Sequence, residues 1–187
     1  MNDKNLLAAT DISLWLDSYD DIYSDFDSRN YLKRRVSEDL IDELKAALKY
    51  NEENVAKLVL SLPSKLRIKD IEQGIATNLK EQFHKNFERL DKIDKRNLSK
   101  GVLFLIGGII IMGIDSVIVF GVKATYPTVL LRVVLEPAGW FLFWTGLDLL
   151  LNYYKNARRE TLLYKKMAQL NIHFKNADEQ KSDATVD

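Results

Sequence analysis

Between Val102 and Val122 the chain reads VLFLIGGIIIMGIDSVIVFGV, 21 residues with one charge, Asp115. A helix buried in a soluble protein shows a polar stripe over such a length, and this run shows none. At ~1.5 Å per residue it reaches about 31 Å, close to the ~30 Å hydrocarbon layer of a bilayer. A second apolar run, Val129 to Tyr154, is interrupted by Arg132, Glu136, Pro137 and Asp148. Its Trp140, Phe141, Phe143 and Trp144 need an apolar home, which a neighbouring span supplies. Only Lys123 to Thr128 separates the two runs, so they are predicted to form a tight antiparallel hairpin over 101–154.

The pattern upstream is different. Residues 11–17, DISLWLD, alternate as a strand does, and 55–62, VAKLVLSL, make a second strand ended by Pro63. Between them Ser37 is placed to cap a helix, EDLIDELKAALKY, with Leu40, Ile41, Leu44 and Leu48 on one face. Strand, helix, strand reads as a parallel βαβ unit over 11–66. Two strands make a marginal sheet with open edges, which calls either for cover from residues 18–36 or for a second copy of the chain.

From 67 to 100 the apolar positions Ile68, Ile71, Ile75, Leu79, Phe83, Phe87, Leu90 and Ile93 form a single helical stripe. Nothing forces a break before Val102, so this helix is expected to run into the first span, with a bend near Asn97–Ser99. Leu162, Leu163, Met167 and Leu170 give another stripe, read as a cytoplasmic helix over 155–174 that packs on the first. The alternative for the first stripe is a helix lying on the inner leaflet. Residues 1–10 read as an N-terminal arm, and the polar 175–187 as a disordered tail. The predicted class is an α+β membrane protein: a small βαβα domain whose long last helix leads into a two-helix transmembrane hairpin.

Charge orients this arrangement. Lys92, Lys95, Arg96 and Lys100 precede the first span; Lys155, Arg158, Arg159, Lys165 and Lys166 follow the second; the connecting loop has Lys123 alone. The positive-inside rule puts both termini in the cytoplasm, in a multi-pass protein of the cytoplasmic (inner) membrane. The start, Met-Asn-Asp-Lys, lacks the features of a signal peptide. Twenty-seven basic and 27 acidic residues balance, which argues against a nucleic-acid binder. With no cysteine, disulfides and thiolate metal sites are excluded.

Two sets of residues stand out as candidate sites. Asp115, Arg132 and Glu136 lie inside the predicted spans, where each charge costs roughly 2.5–3.5 kcal/mol on insertion scales. Counted from the outer ends, Asp115 and Glu136 lie at similar depth, and Arg132 is one turn above Glu136. They are expected to cluster, locking the hairpin, pairing protomers or lining a polar path. Asp17, Asp20, Asp21, Asp25 and Asp27 crowd the segment LDSYDDIYSDFDSRNY. Oxygen ligands so dense could hold Mg²⁺ or Ca²⁺, although the spacing is not that of an EF-hand. They equally suit turn caps and ion pairs with Arg29, Arg34 or Arg35. His84 and His173 read as polar-face residues, and Gly107, Gly108 and Gly113 as a small-residue surface without a GxxxG pair. No catalytic motif is present.

The segment LWLDSYDDIYSDFDSRNY, followed by SEDLIDELKAAL, LVLSLP and a long helix into an apolar hairpin, resembles an uncharacterised family of small bacterial two-span membrane proteins. In that family an SDFD motif, here Ser24 to Asp27, follows the first strand. A Trp-rich second span with a Glu-Pro element is similar to Glu136-Pro137 and Trp140. The likeness covers about residues 11–170 and implies membrane placement and architecture, with no reaction attached. Relatives often carry Pro after the motif, where this chain has Ser28, which implies a less rigid turn. The functional expectation is a non-enzymatic sensing, scaffold or interaction module, homo-oligomeric in the bilayer and offering its cytoplasmic domain to a protein partner. The alternatives are a small oligomeric channel or membrane-perturbing effector, and a metal-dependent hydrolase using the acidic loop.

Overall fold

A computed structural model describes residues 11–50 and 55–177; the expected arm over 1–10 and the tail from 178 onward lie outside the described residues. The chain is mixed helix and strand. The elements are β1 (Asp11–Trp15), a 3-10 turn at Tyr19–Ile22, α1 (Glu38–Tyr50), β2 (Lys57–Leu62), α2 (Lys69–Gly121), α3 (Tyr126–Asn152), a π-turn at Tyr153–Ala157, α4 (Arg158–Gln169) and β3 (Asn171–Asn176). They divide into two compact units. One holds the described residues up to Phe87 and from Leu162 on, and the other runs Glu88–Thr161.

In the first unit the sheet has the order β1-β2-β3, all parallel. The register sets Ile12 beside Leu58 and Leu58 beside Ile172. The middle strand is buried from Leu58 through Leu62, on both of its faces, which is why it reads as a nearly unbroken apolar run. Helix α1 begins where expected: the Leu40 amide donates to Ser37 Oγ at 3.1 Å, and Glu38 and Asp39 occupy the first turn. Leu40, Leu44 and Leu48 are buried, as are Ile75, Leu79 and Phe83 of α2. Tyr19, Ile22, Tyr23 and Val36 complete the core from the acidic loop, whose ends meet in an antiparallel bridge between Tyr23 and Val36.

One prediction is corrected. The sequence reading carries a single helix through 155–174 and starts a tail at 175. The structure ends α4 at Gln169 and forms β3 over Asn171–Asn176. The apolar stripe does continue to Leu170, which is buried, but the chain turns there: the Leu170 amide donates to Met167 O, and that of Asn171 to Ala56 O. Ile172 and Phe174 then alternate with polar residues, the period of a strand. With β3 in place β2 has neighbours on both sides, so the premise that two strands need a second copy's sheet is gone.

In the second unit α2 and α3 are the two helices long and apolar enough to cross a bilayer. The helix expected from Lys69 to run into the first apolar run does so without interruption, over 53 residues. It stops at Gly121, and α3 restarts after Thr125, whose amide donates to Thr128 Oγ1 at 2.9 Å, with Pro127 in the first turn. The helices meet along glycines spaced seven apart on each. A Cβ on Gly101 would lie 3.2 Å from Gly146 O, and one on Gly108 would lie 2.6 Å from Phe143 N and 2.9 Å from Gly139 O. Gly107 and Gly113, the other two members of the expected small-residue surface, face open space.

Candidate functional site

The aspartates of the acidic loop are spent largely on hydrogen bonds within the loop. Asp21 accepts the amides of Asp17 and Ser18 at 2.6 and 3.0 Å, while Ser18 Oγ accepts that of Asp20 at 3.1 Å, so each caps the 3-10 turn. Asp20 accepts from Arg34 at 2.5 Å and from the Tyr31 hydroxyl at 3.3 Å. Asp27 takes Arg29 through two nitrogens, at 2.9 and 2.7 Å, and the Arg35 amide at 2.8 Å. The Arg29 guanidinium and the Arg35 amide hold its carboxyl well below the usual carboxylate range. Asp17 accepts from the Trp15 indole at 3.2 Å. Of the five aspartates, Asp25 alone is uncommitted among the described residues. No group of three His, Asp or Glu side chains converges to hold a metal ion among the described residues.

Beside this loop lies a cleft of about 560 Å³, lined in part by Asp21, Asp25, Arg35, Glu38 and Asp39. Phe26, at the tip of the SDFD turn, is 99% exposed at its edge. The return leg of the loop is clamped by three residues one turn apart on α2. Leu32 packs onto Gly74, where a Cβ would lie 2.5 Å from its Cδ2. Asn78 Nδ2 donates to Tyr31 O at 2.7 Å. Gln82 donates to Arg34 O at 2.6 Å and accepts the Val36 amide at 3.0 Å. Tyr23 stacks on Tyr31 at 5.6 Å, its hydroxyl buried without a hydrogen bond. Burial, outweighing the nearby Asn78 amide, pushes that phenol up to about 12.

Sequence reasoning missed a second cluster, at the carboxyl ends of the strands. Arg67, just after β2, grips Glu72 of α2 with two nitrogens at 2.8 and 2.7 Å, and also donates to Asn176 Oδ1 at the end of β3. The Tyr19 hydroxyl, beyond the end of β1, donates to Glu72 at 2.9 Å and accepts the Ile68 amide. In open parallel sheets this edge is the usual ligand crevice. Here a bidentate ion pair fills it. The Arg67 hydrogen bonds, reinforced by Tyr19, lower the Glu72 carboxyl, while burial raises the Tyr19 phenol.

In the second unit Arg132 Nε donates to Asp115 Oδ1 at 3.2 Å. The expected three-charge cluster is therefore a pair. Glu136 is exposed, with no hydrogen-bond or ion-pair partner among the described residues. Thr161 donates to the buried Asp94 at 2.5 Å. His84 stands beside Phe87, and His173 lies in β3 opposite Val59. No family model, curated protein or solved structure matches this chain.

Proposed function

We propose that the chain is a non-enzymatic, membrane-anchored interaction module. Its α2–α3 hairpin sits in the cytoplasmic membrane with both termini inside, and its α/β unit offers the acidic cleft and Phe26 to a basic protein partner. One observation carries the anchoring: the hairpin is inside out for water. Its seam is glycine, while Leu103, Val117, Phe120 and Phe141 are 66, 69, 89 and 70% exposed. Helices that meet through small residues and turn large aliphatic and aromatic ones outward suit lipid, where packing rather than hydrophobic burial joins them. The basic flanks support the orientation.

The partner reading rests on the loop's construction. Three aspartates hold the loop's own amides and arginines and Asp17 holds the Trp15 indole, so the fold is stiff, and Asp25, Phe26, Glu38 and Asp39 are left to face a partner. An exposed aromatic beside carboxylates suits an arginine- or lysine-bearing surface. The test is alkaline carbonate extraction of the full-length chain, followed by pull-down with wild type and Phe26→Ala. The reading expects the chain to stay with the membrane, and a protein lost from the pull-down on substitution. Release into the supernatant would end the anchoring claim, and an unchanged pull-down the partner claim.

A further inference from the structure

The membrane reading makes one face of α3 anomalous. Glu136 is exposed, and Arg132, the natural counter-ion one turn away, is already turned to Asp115. Pro137 follows and has no N–H, so the carbonyl of Val133 loses its helical donor. On the same flank Trp140 and Trp144 are 46 and 57% exposed, and neither indole N–H has an acceptor among the described residues. Glu136, Trp140 and Trp144 succeed one another every four residues, near the middle of Tyr126–Asn152. Tryptophans that face lipid usually gather at the interfaces, where the indole N–H meets water. The Glu136 carboxyl acceptor and two indole donors, without partners among the described residues and near mid-span, form a set that is complementary to itself, beside a Val133 carbonyl that has lost its i+4 donor.

We propose that this flank, Val133–Glu136–Trp140–Trp144, is where a second copy of the chain packs in the bilayer. The Glu136 carboxyl of each copy accepts from the Trp140 indole of the other. The proposal rests on the membrane reading above and deepens it. Two copies inserted the same way and related by a two-fold axis along the bilayer normal set equal residues at equal depth. Long helical side chains lean toward the N-terminus, and the indole of Trp140 is longer than the Glu136 side chain, so its N–H reaches toward the level of that carboxyl. The rings are already ordered within one chain: Trp140 and Trp144 stack at 6.4 Å and 18°, with Phe143 edge-on to both. Little freedom is then left to lose on association. The glycine seam is used up within the hairpin, so this contact is separate from it. A lipid tail offers none of the missing donors and acceptors.

The chain contains no cysteine, so single cysteines report without background. Val133→Cys and Leu151→Cys lie on the proposed flank. Val134→Cys and Phe141→Cys are exposed controls about a quarter-turn round the same helix, off the proposed flank. Each full-length variant is reconstituted at high lipid dilution, oxidised, and washed with alkaline carbonate. The proposal expects a band of twice the chain mass from the flank pair, at least several-fold stronger than from the controls. It also expects Glu136→Leu in the Val133→Cys background to weaken that band roughly three- to thirty-fold and Glu136→Gln, which keeps an acceptor, to retain most of it. Equal cross-linking from flank and control positions, or none in carbonate-resistant protein, overturns the dimer while leaving the membrane reading standing. Protein released by carbonate overturns both.

Discussion

Gly107 and Gly108 are adjacent and chemically identical, yet alanine should act oppositely at the two. A Cβ at Gly107 meets nothing within 4 Å. At Gly108 it would lie 2.6 Å from Phe143 N and 2.9 Å from both Gly139 O and Phe143 Cα, and all three atoms are backbone. Ordinary contact begins near 3.4 Å, so the helices must part locally by about 0.8 Å. A gap of that size forfeits a quarter to a half of each contact's attraction along the seam. Overpacking of this kind costs about 1–3 kcal/mol. Both variants gain the same helix propensity, up to roughly 1 kcal/mol, so their difference isolates the steric part. Purified protein in mixed micelles would be unfolded with increasing SDS and followed by tryptophan fluorescence, since Trp140 and Trp144 lie on α3. Gly108→Ala should unfold at lower SDS than wild type, and Gly107→Ala at the same or higher. Gly146→Ala, with its Cβ 2.5 Å from Leu105 N, should behave like Gly108→Ala. Equal midpoints for the neighbouring pair would refute the close-packed seam.

Gly74→Ala meets only the end of the Leu32 side chain, which can rotate, so its effect on urea unfolding should stay within about 1 kcal/mol. Gln82→Leu strands the Val36 amide and the Arg34 carbonyl, and should cost about 1–3 kcal/mol and speed hydrogen exchange at Val36. Glu72 is folded with its pKa below the unfolded value, so its contribution is complete above roughly pH 4–5 and lost as pH falls. Arg67→Met should therefore flatten the acid limb of stability, measured as the thermal midpoint against pH. Tyr23, raised to about 12, contributes fully below its unfolded value of about 10 and loses that contribution as pH climbs through the folded one. Tyr23→Phe should abolish this alkaline loss and leave stability at neutral pH equal or higher by up to about 1 kcal/mol.

Where local chemistry decides, the sequence is readable. Ser37 before Glu38 and Asp39 announces α1, and Leu40, Leu44 and Leu48 announce its buried face. The stripe through Ile75, Leu79 and Phe83 does the same for α2. β3 escapes because only Ile172 and Phe174 mark its period, directly after a helical stripe that ends at Leu170. The glycine seam was visible as two seven-residue spacings, Gly101 to Gly108 and Gly139 to Gly146. A search for four-residue spacing overlooks it, and which glycines face each other depends on the hairpin register. Arg67, Glu72, Tyr19 and Asn176 come from four separate stretches of the chain, and no spacing along the sequence joins them. Depth sets Asp115 level with Glu136, and a four-residue spacing puts Arg132 and Glu136 on one face of α3. Neither tells that Arg132 turns to Asp115 and leaves Glu136 exposed.

The central claim is that α2 and α3 cross a bilayer and return. Ala124→Cys in the turn and Ser28→Cys in the acidic loop, each alone in the cysteine-free chain, test it in intact cells with a membrane-impermeant maleimide. The account predicts that Ala124→Cys is labelled from outside and Ser28→Cys only after the membrane is opened. Labelling of both before permeabilisation, or of neither, would contradict it.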